Sequence, residues 1–303
     1  MLDLDFAFLN LINKDKKGLL SRKYFLERLT PIFFLPRLER LIDLRDIEAK
    51  GCNIIVPLGE SNFELLNHEL KEHLIKKSFN IINSYDIQYM AVDRNLKPQL
   101  GELANNYSVV FGDNFIKALA NVLITDTLSK HEIKKIVLLG ETEAFEDFLE
   151  VIAGYEVPLS IQNHNPHQYE IMVHRMLYEK GCAISNSYIV PNNWEIGDMI
   201  VSFDEAKGGL IVGSPSLYYL EFSNHSVNIA PDLESSLRVS GIPPSFHSLA
   251  PILETCLLTK AGFPGLNEEQ DVSNQITSGK FFLKLQEVGD HLGIWDLFLD
   301  NGN

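Results

Sequence analysis

The sequence is short of the features that mark several large protein classes. Three cysteines, Cys52, Cys182 and Cys256, are spread over 303 residues with no CxxC spacing, so neither a disulfide framework nor a structural zinc site is expected. Buried free thiols are the expectation instead. No run of about 20 apolar residues exists to span a bilayer. The opening MLDLDFAFLNLINKDKK sets acids ahead of its apolar run, where a secretory signal carries cations, and the expected location is the cytoplasm. Positive charge is scarce: 26 Lys and Arg stand against 41 Asp and Glu, a net charge of −15. That balance repels a phosphate backbone, and no cluster of cations interleaved with aromatics is read as offsetting it, so nucleic acid is not an expected partner. Internal repeats and low-complexity tracts are also missing, which leaves Gly, Pro and Asn as the punctuation that divides the chain.

What is there is enough apolar residue, 45%, to bury one large core or two linked ones. The clearest block opens at residues 136–139, an unbroken apolar run ended by Gly140, as in a strand buried on both faces. Residues 144–153 place Phe145, Phe148, Leu149 and Ile152 at helical spacing before Gly154. A second strand is expected at 157–161. It is followed by a helix with Asn165 as N-cap, Pro166 at its first position, an inward face of Ile171, Met172, Leu177 and Tyr178, and Gly181 as its stop. Strands at 182–185, 199–203, 210–212 and 218–222 complete the block. Strands alternating with helices of this length imply right-handed crossovers and a parallel sheet of Rossmann type.

The flanks read as helices at 21–44, 62–79, 114–128, 231–239, 245–261 and 276–292, with one short strand at 53–56. The expected fold is therefore α/β: a Rossmann-like domain over 131–244, and a mainly helical lobe made from 1–130 and 245–303. A cleft between the two is the expected ligand site.

The order of landmarks resembles the long-chain fatty acyl-[acyl carrier protein] reductases, aldehyde-forming enzymes with a nucleotide domain of the shikimate dehydrogenase type. EAKGCNIIVPLGES resembles that family's N-terminal glycine turn, FGDNFIKALANVLI its helix start ahead of the first nucleotide-domain strand, and KKIVLLGETEAF that strand and its glycine loop. WEIGDMIVSFD, GIPPSFHSLAPILETCLL and ITSGKFFLKLQEVGDHLGI resemble, in turn, its late strand, its nucleophile segment and its closing helix. The correspondence runs over about residues 20–295. The resemblance implies a cysteine thiolate that attacks an acyl thioester, and a nicotinamide hydride, from NAD or NADP, that reduces the bound acyl group.

The residues depart from that pattern at three places. In Ala250-Pro251-Ile252-Leu253-Glu254, Pro251 stands where the resemblance implies the nucleophile, and proline has no nucleophilic atom. Cys256 lies about 140° further round a helix and reads as a small buried hydrophobe, while Glu254 keeps the family's acid. The loop LLGETEAFED offers Gly140 and Thr142 to a cofactor but crowds Glu141, Glu143, Glu146 and Asp147 where two phosphates would lie. One carboxylate about 4 Å from a phosphate costs on the order of 1 kcal/mol in water and several times that in a partly dry site. At the end of the second strand, Gln162, Asn163, His164 and Asn165 supply neither the ribose-binding acid nor an arginine, although Asn163 and His164 can hydrogen-bond a ribose and are candidate cofactor contacts.

Remaining candidates are Asn114, beside Asp113 at a helix start, and Asn186, Ser187 and Tyr188 at the end of the third strand, the edge where open sheets bind ligands. His164, His167 and His174 have metal-like spacing but read as surface histidines around a helix start. Arg94 and Lys97 read as solvated loop charges. The sequence thus predicts a degenerate relative of the reductases that binds a small or acyl ligand, or a protein partner. The alternatives are an active oxidoreductase with an altered cofactor pose, using Asn114, Glu254 or a tyrosine, and a regulatory or scaffold protein.

Overall fold

The computed structural model describes residues 4–12, 14–140, 145–203, 217–222, 231–263 and 280–299. The chain forms two compact units, one of Met1–Gly112 with Ile229–Asn274 and the other of Asp113–Asn228 with Gln275–Asn303. The first unit starts with β1 (Phe6–Leu11), α1 (Lys23–Phe33), β2 (Arg37–Leu44) and β3 (Ala49–Val56). It continues with α2 (Glu60–Glu64), α3 (His68–Ile82), β4 (Met90–Val92), α4 (Lys97–Leu100) and β5 (Val109–Val110). Its five strands run in the order β2-β3-β1-β4-β5, parallel except for the β2–β3 pair. β1 lies in the middle and is buried at all six positions, which explains its unalternating sequence FAFLNL. One sheet face packs Leu9, Ile54 and Val92 with Leu26 of α1 and Leu74, Ile75 and Phe79 of α3.

The lobe expected to be mainly helical over 1–130 and 245–303 holds a five-stranded sheet beside its helices. The helix expected over 21–44 stops at Phe33, because Pro36 bars its preceding residue from helical backbone, and the chain resumes as the exposed edge strand β2. The helix expected over 62–79 is two helices; Asn67 caps the second by accepting from the Leu70 N–H at 2.9 Å, a contact that contributes about 1 kcal/mol.

The second unit opens with α5 (Asp113–Lys130) and holds β6 (Lys135–Leu139), α6 (Phe145–Ala153), β7 (Leu159–Asn163), α7 (Glu170–Lys180), β8 (Ile184–Tyr188), β9 (Asp198–Ser202) and β10 (Tyr218–Glu221). The strands are all parallel in the order β10-β9-β6-β7-β8. Counting from β6 as strand one, this is 5-4-1-2-3, the Rossmann order with its switch point between β6 and β9. α6 buries Phe148, Leu149 and Ile152, each contributing about 1.5–3 kcal/mol. The strand expected at 210–212 lies outside the described residues.

α7 corrects the expected apolar face. Ile171 and Tyr178 are more than four-fifths exposed, and Met176 is the helix's buried contact. The helix covers β8, the end of the sheet, where little core is left to bury. Asn165 makes no side-chain cap either.

After β10, α8 (Pro231–Val239) and α9 (Phe246–Lys260) return to the first unit, and α10 (Phe281–Leu292) to the second. α9 is capped by Ser245, whose hydroxyl accepts from the Ser248 N–H at 3.2 Å, and it packs on β1 and β4. α10 packs on α5, where a buried polar stripe joins them: Asn121 donates to Gln286 at 2.8 Å and accepts from Tyr155 at 2.7 Å.

Candidate functional site

In the second unit the carboxyl ends of β6, β7, β8 and β9 gather most of the residues singled out by sequence. Gly140 closes β6 with φ +79°, backbone that a side chain resists. Its N–H donates to the Gln162 carbonyl at 3.3 Å, tying the turn to β7. Thr142, with Glu141 and Glu143, lies outside the described residues. α6 then begins at Phe145, with Glu146 and Asp147 in its first turn, acids favoured by the helix dipole. Glu146 is ion-paired with Arg175 of α7.

Rings from three connections meet at this helix start. Phe145 packs edge-on against Tyr169, which follows β7, at 5.7 Å, and against Phe203, which follows β9, at 6.1 Å. Phe203 also meets Phe148 at 5.5 Å and stacks on Phe222 at 5.7 Å. A diphosphate at a helix start needs close backbone N–H groups and no competing negative charge. Among the described residues, this helix start supplies buried rings and two acids instead.

The β7–β8 edge is different in kind. Asn163 is 3% exposed; its Oδ1 accepts from the Asn165 N–H at 2.7 Å. Asn186 donates through Nδ2 to the Pro166 carbonyl at 2.7 Å. Asn163 Nδ2 and Asn186 Oδ1 are buried with no hydrogen-bond partner among the described residues. Ile161 pairs with Asn186 and Asn163 with Tyr188, so both amides lie on one face of the sheet, two positions apart along the strand direction. One is a donor and the other an acceptor, and each left unpaired costs about 1–3 kcal/mol. A group with one acceptor and one donor satisfies both.

The other expected residues sort by their partners. Gln162 accepts from the Val190 N–H at 3.2 Å and from Trp194 Nε1 at 3.1 Å, which pins the β8–β9 connection. Ser187 donates to the Tyr188 carbonyl at 3.1 Å, and His164 is exposed. His167 bonds Glu170 at 2.7 Å and His174 stacks on Tyr178. Among the described residues no three side chains of His, Cys, Asp or Glu form a group that could hold a metal ion.

Glu254 belongs to the first unit and Asn114 to the second; Glu254 is buried, Asn114 half-buried, and neither is without a partner. Pro251 sits inside α9, which is buried from Ser248 through Leu258. Gly112 presses on this stretch: at φ +84°, a Cβ there would come within 2.7 Å of the Pro251 nitrogen. Cys256 is 1% exposed; burial first, then Asp5, pushes its thiol far up, against a smaller opposing pull from Lys260. Burial pushes the Cys52 thiol up to about 12. Both are held as neutral thiols, the unreactive form.

Sequence reasoning missed a buried polar knot in the first unit. Asp93, 7% exposed just after β4, accepts from the Asn95 N–H at 2.9 Å and from the Ser248 hydroxyl at 2.6 Å. Arg94 is not a solvated loop charge: it is half-buried and donates to the Phe111 carbonyl at 3.2 Å. Asp93 and Ser248 are 155 residues apart, and no local pattern links them; an acid directly after the apolar MAV was the available signal. On α5, Asp113 and Lys117, one turn apart, are both buried, and the Lys117 ammonium lies 5.7 Å from the Phe282 ring centroid.

No protein-family model matches the chain, and no curated protein matches it. Among solved structures it is similar to L-tryptophan dehydrogenase from Nostoc punctiforme, at 13% identity over 82% of this chain and 71% of that chain with a TM-score of 0.41. It is also similar to a chorismate mutase/shikimate 5-dehydrogenase fusion protein from Clostridium acetobutylicum, at 13% identity over 95% and 99% with a TM-score of 0.37. The Rossmann assignment rests on the all-parallel strand order of the second sheet.

Proposed function

We propose that this chain is a non-reducing relative of the acyl reductases, which binds a small neutral polar or acyl ligand at the carboxyl edge of its second sheet. The observation that supports this most is the start of α6, where the Phe145 ring packs against those of Tyr169 and Phe203 and two acids stand in the first turn, surroundings that do not favour a diphosphate. The unpaired amide groups of Asn163 and Asn186 are the ligand's contacts in this reading. The proline at 251 and the two buried thiols remove the acyl-accepting step that the reductases require.

Titration of the full chain with NADH and NADPH, followed by nicotinamide fluorescence and by calorimetry, tests the first half. No saturable binding in the micromolar range is expected. Native mass spectrometry of the freshly purified chain tests the second half: an adduct of small-molecule mass is expected, depleted in Asn163→Ala. A bare mass in both proteins overturns the ligand site.

A second reading, an NAD(P)-dependent oxidoreductase with an altered cofactor pose, is favoured by the retained Gly140 turn and the Rossmann strand order. Micromolar NADH or NADPH affinity, together with aldehyde formed from an acyl thioester, decides for it.

A further inference from the structure

Helix α1 is apolar on two sides. Its inner stripe is Leu26 and Thr30, with Phe34 just beyond the helix, all buried. Its outer stripe is Phe25, Ile32 and Phe33 with half-buried Leu29 between them, at the i, i+4, i+7, i+8 spacing of a continuous strip along a helix. Tyr24 joins it, its ring 5.5 Å from that of Phe25. Tyr24, Ile32 and Phe33 are 65, 67 and 66% exposed. Isolated exposed apolar residues are ordinary; several along one short helix form a patch of the kind that marks an interaction surface.

The charge around this strip runs against the rest of the chain, contrary to the reading that no cationic cluster with aromatics is present. Residues 14–37 contain seven Lys and Arg and two acids, a local net of +5 in a chain of −15. Lys14, Lys17, Arg22, Lys23, Arg28 and Arg37 are exposed. Of the two acids, Asp15 is turned to the Asn62 N–H, and Glu27 faces Lys23 at 3.9 Å.

The occupant follows from this combination. A second copy of the same face would set like charges against each other. A nucleic acid would use the cations and leave Ile32 and Phe33 idle. An anionic bilayer uses both, its phosphates meeting the Lys and Arg while the apolar strip enters the boundary between headgroups and acyl chains. No helix among the described residues is long and apolar enough to cross a membrane, so the contact lies in the plane of the surface. We propose that α1 and the cations flanking it are a docking face for an anionic lipid bilayer.

Co-sedimentation of the full chain with lipid vesicles tests this. The chain is expected to pellet with phosphatidylcholine vesicles containing about one-third phosphatidylglycerol, to stay in solution with phosphatidylcholine alone, and to be released by raised salt. Arg22→Glu with Lys23→Glu is expected to weaken the binding by more than about tenfold, at about fivefold per lost cation. Ile32→Asp with Phe33→Asp is expected to weaken it at least as much, with the circular dichroism spectrum unchanged. If that pair fails to fold, the exposed charge pair carries the same test.

The proposal is overturned if the chain ignores the anionic vesicles, or binds neutral ones equally well. It is overturned if the Asp variants bind undiminished, since charge alone would then account for adsorption. A dimer in analytical ultracentrifugation that Ile32→Asp/Phe33→Asp dissolves would assign the face to a second copy, and tighter binding to a nucleic acid than to the vesicles would assign it there.

Discussion

The state of the thiols decides whether this chain can run the thiolate chemistry that the proposed reading denies it, and it can be measured without knowing a ligand. Cys52 is held in the core with its thiol moved from an ordinary 9.0 to about 12. At pH 8 an ordinary thiol is about one-tenth thiolate, whereas one titrating at 12 is about one part in ten thousand. Reaction with a disulfide reagent or a maleimide is therefore expected to be about a thousandfold slower at Cys52 from ionisation alone, before restricted access slows it further. Cys256, fully enclosed by α9 and its neighbours and shifted upward more strongly, is expected to be slower still. The half-buried Cys182 is expected to react first and alone. In denaturant all three react at similar rates. The assay is stoichiometric labelling of the native chain at pH 8, with peptide mapping to locate the label. Rapid native labelling of Cys52 or Cys256, or transfer of an acyl group from an acyl thioester onto Cys256, refutes the reasoning and restores a nucleophile to the first unit.

Three further outcomes are expected. Gly112→Ala places a methyl group 2.7 to 2.8 Å from the backbone at Pro251 and Ala250 on a left-handed turn; the conformational part alone costs about 1–2 kcal/mol, and urea unfolding is expected to show a loss of at least that size. Ser248→Ala removes the 2.6 Å hydrogen bond to the buried Asp93 carboxylate and is expected to lower the unfolding free energy by about 1–3 kcal/mol; an unchanged midpoint would remove the knot from the account of stability. Because folded Cys52 keeps its proton to a higher pH than the unfolded chain does, its contribution is complete below about pH 9 and is lost as pH rises toward about 12. Cys52→Ala is expected to show a shallower decline in stability over that window, whatever its starting value.

The Rossmann-type unit was legible because its strands announce themselves. β6 is an unbroken apolar run ended by glycine, and Phe148, Leu149 and Ile152 repeat at helical spacing just after it. Of the first unit's sheet only the strand expected at 53–56, part of β3, was legible, for reasons that lie in the other strands. β2 is an exposed edge whose residues carry charge, and β4 and β5 are three and two residues long, too short to show a period. β1, which is long enough, reads equally as a buried helical stretch. The face of α7 was misread because periodicity reports which residues share a side, not whether anything covers it. At the candidate site, the strand-end amides followed from position in the sheet, but their missing partners did not. Nor did the ring cluster, since Phe145, Tyr169 and Phe203 come from three separate connections and meet only through the fold.

The return of α9 to β1 and β4, and of α10 to α5, has a consequence for how the chain acquires its shape. Neither unit is a continuous stretch of sequence, so a ribosome that has released the first 112 residues has exposed a sheet lacking the helix that covers β1 and β4, and one that has released 228 has left α5 without its cover as well. The first unit waits on Phe246–Lys260 and the second on Phe281–Leu292. A frame-shift or protease cut ahead of Phe246 therefore leaves the first sheet without α9 and α5 without α10, apolar surface open to aggregation.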